Sequence, residues 1–171
     1  KAQLNYGAMH YHGEGVPQDF AEAASWYRKA AEQGLAKAQE NLAELYRTGK
    51  GVPQNDGEAA VWFRKAADQG LAKAQFSLGS LIHQGKGSRP DPEKALRWYR
   101  KAADQGHAKA QYNVGFMYAA GDGVAQDFAE GLKWYLKAAE QGRADAMYQV
   151  AMLYSKGEGV KRDDTAATHW F

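Results

Sequence analysis

Residues that could perform chemistry are sparse in this chain of 171 residues. Ser80 and His83 are the one pair that combines a nucleophile with a base at a helical spacing, and no nearby third group would orient the imidazole. An acylating serine with a lysine base requires a Ser-x-x-Lys spacing, which no serine here has. Because the chain has no cysteine, a thiolate nucleophile is excluded. We therefore predict no catalytic residue.

Metal and phosphate ligands are equally scarce. His10, His12 and Glu14 form the best metal-ligand cluster, but no fourth ligand is indicated and zinc prefers four filled positions. The Gly-x-Gly elements, such as the one at 121–123, follow a predicted helix and lack the Gly-Lys-Ser/Thr ending of a phosphate loop. They are interpreted as turns. The sequence thus predicts no metal site and no cofactor.

The overall composition narrows the class of partner. The 22 Lys and Arg residues nearly balance 20 Asp and Glu residues, so the net charge is only +2. Since nucleic-acid binding depends on a basic surface, we expect no nucleic-acid partner. No apolar run approaches the roughly 20 residues of a membrane span, so we expect no membrane insertion.

A strict period organises the whole chain. Five tryptophans are spaced 36 residues apart, at Trp26, Trp62, Trp98, Trp134 and Trp170. Glycines and Gln-Gly pairs keep the same period without an insertion, which gives repeats 1–34, 35–70, 71–106, 107–142 and 143–171. The sequence predicts a single repeat domain, 1–171, whose last repeat is truncated.

Each repeat has the pattern of a helical hairpin. In the second repeat, buried-type residues from Ala38 to Tyr46 recur at steps of three and four, and Gly49 follows as a C-terminal cap. A second helix then begins after an N-cap residue, and three of the five caps have Glu three positions later, a capping-box spacing. The five cap positions are Asp19, Asn55, Asp91, Asp127 and Asp163. We predict an all-α solenoid of helix-turn-helix repeats.

The repeat resembles a known family. The stretch 108–127, with Trp134 and the Ala-Ala-Glu-Gln-Gly segment at 138–142, is similar to the Sel-one-like repeat (SLR) family, relatives of the tetratricopeptide repeats. The resemblance implies a right-handed superhelix that serves as a protein-binding scaffold. It favours a periplasmic or secreted bacterial protein and leaves a cytoplasmic one open.

By the same resemblance, the first helix of each repeat lines a concave groove. Its outward columns run through positions 40, 44 and 47 of the second repeat, and the polar column beside them through position 41. The apolar members of the predicted partner surface are Phe76, Tyr112, Phe116, Tyr148 and Met152. The amide members are Asn41, Asn113 and Gln149. The alternative interpretation is that these side chains only support packing of the neighbouring repeat.

The function expected from these observations is a non-enzymatic scaffold or adaptor that binds a polypeptide segment in the groove. Some family members are discussed as β-lactam-interacting proteins, so a hydrolase or β-lactam-interacting protein of the bacterial envelope is the alternative. Trp170 and Phe171 belong to a truncated repeat and lack a covering helix in sequence, which makes end-to-end self-association a further hypothesis.

Overall fold

The computed structural model describes residues Lys1–Phe171 and contains ten α-helices and no strand. The helices are α1 (Ala2–His12), α2 (Phe20–Glu32), α3 (Ala36–Thr48), α4 (Asp56–Asp68), α5 (Ala72–Gln84), α6 (Pro92–Asp104), α7 (Ala108–Ala120), α8 (Phe128–Ala139), α9 (Ala144–Lys156) and α10 (Asp164–Trp170). Two helices fall in each predicted repeat, which confirms the all-α class.

The chain divides into two compact units. Unit 1 comprises Lys1–Pro90 with α1 to α5, and unit 2 comprises Asp91–Phe171 with α6 to α10. The division falls between α5 and α6, inside the predicted third repeat. The single domain over 1–171 therefore stays a prediction, and each unit is described separately below.

The predicted N-caps of the second helices are confirmed. Each of the five side chains accepts a hydrogen bond from a backbone N–H in the first turn, at 2.9 to 3.0 Å. The backbone N–H of Asp19 donates to the His10 carbonyl at 2.9 Å, and that of Asp127 donates to the Tyr118 carbonyl at 2.9 Å. In a capping box, the glutamate three residues later accepts a hydrogen bond from the backbone N–H of the cap residue. Here that N–H donates to a carbonyl of the preceding helix, so the glutamate does not accept it.

Glycine is required where the hairpin turns. Gly49 adopts a left-handed conformation with φ of 69° and ends α3, as predicted. Gly51 also has φ of 69°, and a Cβ there would overlap the carbonyl group of Phe20. The turn therefore packs directly against the start of the preceding hairpin's second helix.

Buried glutamines connect successive hairpins. Gln39 lies on α3 and donates to the carbonyl of Ala31 on α2 at 3.1 Å. In unit 2, Gln111 on α7 donates to the carbonyl of Ala103 on α6 at 3.2 Å. These bonds satisfy amides that would otherwise be costly to bury, and they fix the register between one hairpin and the next.

Close helix packing in both units depends on glycine opposite a tyrosine ring. A Cβ at Gly7 would lie 2.5 Å from the ring of Tyr27, and a Cβ at Gly115 would lie 2.8 Å from the ring of Tyr135. A Cβ at Gly131 would lie 3.0 Å from the carbonyl oxygen of Gly115. The absence of side chains at these points lets α7 and α8 approach closely.

Candidate functional site

An exposed apolar surface in unit 2 is formed by the predicted residues of α7 and α9. Phe116 is 45% exposed and Tyr148 is 53% exposed, which is unusual for large hydrophobic side chains in this fold. Tyr112 and Met152 are half-buried beside them. We call these four residues the α7–α9 surface. Tyr112 and Phe116 lie on α7, and Tyr148 and Met152 lie on α9 of the same unit. That the four form one partner surface stays a prediction.

The base of this surface is a pair of tyrosines. The Tyr112 ring lies 5.4 Å from the buried ring of Tyr135, and the Arg143 guanidinium lies 5.5 Å from the Tyr112 ring centre. Burial raises the pKa of the Tyr112 hydroxyl, and the charge of Asp145 raises it further. Tyr112 is thus held as a neutral ring that joins α7 to α8 and to the start of α9.

The outer part of the surface is less constrained. Tyr148 contacts Phe171 edge to face, with ring centres 5.9 Å apart, and both side chains are exposed. Aromatic rings that keep about half of their area in solvent recover free energy when a partner covers them. Phe171 is 72% exposed and Trp170 is half-buried, while end-to-end self-association stays a prediction.

Two of the three predicted amide side chains lie next to tyrosine hydroxyls of this protein. The Gln149 side chain lies close to the Tyr112 hydroxyl and acts to lower its pKa, and the Asn41 side chain does the same at the Tyr27 hydroxyl. Asn113 is half-buried on α7. Asn41 and Gln149 therefore lie beside tyrosines of the fold, and their role toward a partner stays a prediction.

Unit 1 places different chemistry on the equivalent positions. Glu40 was expected on an outward-facing column, and this expectation is wrong, since the residue is only 1% exposed. Its Oε2 pairs with Lys37 at 2.9 Å, and its Oε1 lies 3.1 Å from the Nζ of Lys73. Two flanking lysines offset the burial of the carboxylate, which sequence reasoning on one column does not take into account.

A pocket of about 170 Å³ adjoins Glu40. Its walls come from the end of α1 and from α2, α3, α4 and the start of α5, and include the rings of Tyr11, Tyr27 and Phe63. Glu44 also lines the pocket and is paired with Arg47, whose Nε lies 2.8 Å away. That hydrogen bond raises the pKa of Arg47. Phe76, the remaining predicted apolar residue, is half-buried on α5.

Sequence reasoning missed the pocket residues Tyr11, Tyr27, Phe63 and Lys73. The signal that could have found them is the glutamate of the second repeat, which stands where later repeats carry Phe or Tyr. Because a glutamate side chain is smaller than an aromatic ring and carries charge, this exchange indicates an unfilled space and nearby lysine or arginine side chains.

The remaining candidates for chemistry are Ser80 and the candidate metal ligands. Ser80 Oγ accepts a hydrogen bond from Gln84 at 3.0 Å. No group of three or more acidic or histidine side chains is arranged to hold a metal ion. None of the ten helices is both long and apolar enough to cross a membrane.

A family model named Sel1 repeat matches five consecutive segments, 1–35, 36–71, 72–107, 108–142 and 144–171. The chain is also similar to a solved protective antigen, c5321, of uropathogenic Escherichia coli, which displays an SLR fold. The identity is 40%, the TM-score is 0.97, and the match covers 99% of this chain and 36% of that one. This chain thus spans about a third of that protein's length.

Two further structures are similar. A Sel1 repeat protein from Oxalobacter formigenes is 39% identical with a TM-score of 0.95, and the match covers 99% of this chain and 70% of that one. The immunity protein Pa5087 from Pseudomonas aeruginosa is 26% identical with a TM-score of 0.59, over 99% of this chain and 62% of that one. No curated protein matches the chain.

Proposed function

Because this chain belongs to the Sel1 repeat family, we propose that it binds a polypeptide segment of another protein through the first helices of its hairpins. Sel1 repeat proteins are generally protein-interaction scaffolds and are generally non-catalytic. In unit 2 the proposal assigns the main contacts to the α7–α9 surface and further contacts to the amides Asn113 and Gln149. In unit 1 it assigns contacts to Phe76 and Asn41.

The observation that carries the proposal is the exposure of Phe116 and Tyr148 on adjacent helices. Neighbouring packed helices lie roughly 8–10 Å apart, and side chains on one face of an extended peptide recur every ~7 Å. Two apolar side chains of a peptide can therefore contact both rings at once. Aromatic residues at such positions commonly dominate binding free energy.

The alternative of a hydrolase or β-lactam-interacting protein receives no comparable support. Family membership favours a binding role. The Ser80 hydroxyl accepts a hydrogen bond from the Gln84 amide.

A display library of random 12-residue peptides, selected against the immobilised protein, tests the proposal. We expect enriched peptides with apolar residues at alternate positions and affinities near the micromolar range. Phe116→Ala and Tyr148→Ala should each weaken binding by about 10- to 30-fold, since a truncated aromatic anchor typically costs about 1.4–2 kcal/mol.

Matched controls separate a specific loss from a general one. Val61→Ala and Tyr6→Ala truncate side chains that are each 50% exposed outside the α7–α9 surface, and both variants should bind as the unmodified protein does. Failure to enrich any peptide, or equal affinity in all four variants, would overturn the proposal.

A further inference from the structure

We propose that the pocket beside Glu40 receives one basic side chain, arginine or lysine, of the bound polypeptide, with the buried carboxylate as its acceptor. This inference rests on the proposed function and adds a second, charged contact in unit 1. It names a binding site for a cationic group that is distinct from the α7–α9 surface.

The pocket exists because one repeat position carries a small group. In unit 2 that position is Tyr112, whose ring lies against Tyr135. Two repeats earlier the same position is Glu40, and the residue corresponding to Tyr135 is Phe63. The carboxylate does not fill the space of a phenol ring, and a pocket of about 170 Å³ results. The pocket is open to solvent on one side, so a side chain can enter it from outside.

The carboxylate in this pocket retains unused acceptor capacity. The Glu40 side chain is 2% exposed, and its Oε1 accepts no hydrogen bond. Lys73 is within ion-pair distance of this oxygen at 3.1 Å but is not aligned to donate to it. Burial of an incompletely satisfied carboxylate is unfavourable. Because Oε1 is closed to solvent and lies beside Lys73, a donor that displaces Lys73 and reaches this oxygen gains a strong acceptor.

The walls carry both signs of charge. Glu40 and Glu44 supply two carboxylates and the rings of Tyr11, Tyr27 and Phe63 supply faces that attract positive charge, while Lys73 and His12 also line the pocket. An entering cation therefore competes with Lys73 for Glu40. Lys50 already lies 5.7 Å from the centre of the Tyr11 ring, which shows that this ring accepts a cation. An anionic group would meet the buried carboxylate at close range and would be repelled.

The cations that now pair with Glu40 can give way. Lys37 keeps 54% and Lys73 keeps 66% of its side-chain surface exposed, so both ammonium groups can return to water. A guanidinium that donates two parallel hydrogen bonds is a better partner for a carboxylate than a mobile ammonium. The pocket volume fits one side-chain head group and is smaller than the roughly 300–1,000 Å³ of typical small-ligand sites.

An NMR titration with a small probe tests the site independently of any peptide partner. The probe is N-acetyl-L-arginine methylamide, and its neutral isostere N-acetyl-L-citrulline methylamide is the ligand control. We expect saturable shifts of the backbone amides of Glu40, Asn41 and Phe63 with the arginine probe. The citrulline probe should bind at least about tenfold more weakly, because it lacks the charge.

Three variants complete the test. Glu40→Gln keeps the shape and should weaken arginine binding about tenfold, and Glu40→Tyr should fill the pocket and abolish the shifts. Glu32→Gln changes an exposed glutamate of α2 and should leave binding unchanged. The amide spectrum of each variant verifies that the fold is retained.

Equal binding of both probes, an unchanged affinity in Glu40→Gln, or shifts confined to other surfaces would overturn the inference. These results would leave the proposed function intact if selected peptides still depend on Phe116. Conversely, loss of the dependence on Phe116 would overturn the proposed function alone.

Discussion

Unit 1 and unit 2 place opposite chemistry on one position of the same repeat. The Tyr112 ring in unit 2 packs at a tilt against the Tyr135 ring, and Phe116 and Tyr148 of the same unit are exposed, whereas Glu40 in unit 1 is buried beside a pocket. The backbone scaffold around both positions is built in the same way. The comparison indicates that the repeat tolerates exchange at this position, which makes it a place where binding specificity can change without a change of fold.

The two units share the contacts that stabilise the helical hairpins. Lys65 lies 4.0 Å from the Trp62 ring centre in unit 1, and Lys137 lies 4.0 Å from the Trp134 ring centre in unit 2. Buried glutamines and the N-caps also recur in both units. The caps, the buried glutamines and the Trp–Lys contacts are therefore common to both units, while the residue at the position of Glu40 and Tyr112 differs.

The largest loss of stability is expected from truncating the buried ring that corresponds in the two units, Tyr135 in unit 2 and Phe63 in unit 1. Tyr135→Ala should lower the free energy of unfolding by about 4 kcal/mol and Phe63→Ala by about 3 kcal/mol. The difference arises because Tyr135 loses its contact with the Tyr112 ring, and such aromatic pairs contribute about 1 kcal/mol. Urea unfolding of the two variants measures this, and an equal or larger loss for Phe63→Ala would break the comparison.

Exchanging the two residues should have opposite effects on the two units. Tyr112→Glu places a carboxylate near Asp145 and should lower the free energy of unfolding by about 2–3 kcal/mol. Glu40→Tyr removes a buried carboxylate, fills the pocket and should raise it by about 1–2 kcal/mol. If thermal or urea unfolding shows that Glu40→Tyr is destabilised, the buried ion pairs are a net source of stability and the assignment of Glu40 to ligand binding loses its basis.

The shared scaffold should respond equally in both units. Gly7→Ala and Gly115→Ala each force a methyl group against a buried tyrosine ring and should cost about 2 kcal/mol. Gly57→Ala is the control, because its Cβ would meet only the Asn55 side chain at 3.2 Å in an otherwise ordinary helix. It should be neutral or stabilising by up to about 1 kcal/mol. A large difference between Gly7→Ala and Gly115→Ala in urea unfolding would contradict a common scaffold.

The smallest effect concerns alkaline pH. Burial raises the pKa of Tyr135 well above its ordinary value near 10, so the folded state holds this proton more tightly than the unfolded state. Stability is therefore fully present below about pH 10 and declines by up to about 1.4 kcal/mol per pH unit above it. Tyr135→Phe removes this titrating proton, so the free energy of unfolding should decline less steeply above about pH 10. An unchanged slope in urea unfolding against pH would contradict the burial of the Tyr135 hydroxyl.

Local signals explain why the fold could be predicted. The N-cap residues, the left-handed glycines and the apolar spacing each act within a few residues, and the 36-residue period repeats them five times. Phe116 is exposed, as its column predicts, whereas Tyr148 is exposed in the same column as the buried Glu40. The family comparison confirms five repeats over nearly the same segments.

The burial of Glu40 could not be predicted from its position on the helix, because the burial depends on residues of other hairpins. Its burial requires Lys73 of the next hairpin, and the pocket requires Tyr11 and Tyr27 of the previous one. The same limit applies to Gln149, whose amide turns toward a tyrosine of the neighbouring hairpin. A column of one helix shows where a side chain starts and does not show which neighbours it meets.

The most direct test of the central claim is an amide-shift map of the protein with a peptide selected from the random library. We predict that the largest shifts fall on α7 and α9, around Phe116 and Tyr148, and that Phe116→Ala reduces them at equal peptide concentration. Shifts confined to α8 and α10, with no change in Phe116→Ala, would contradict the claim that the first helices of the hairpins bind the partner.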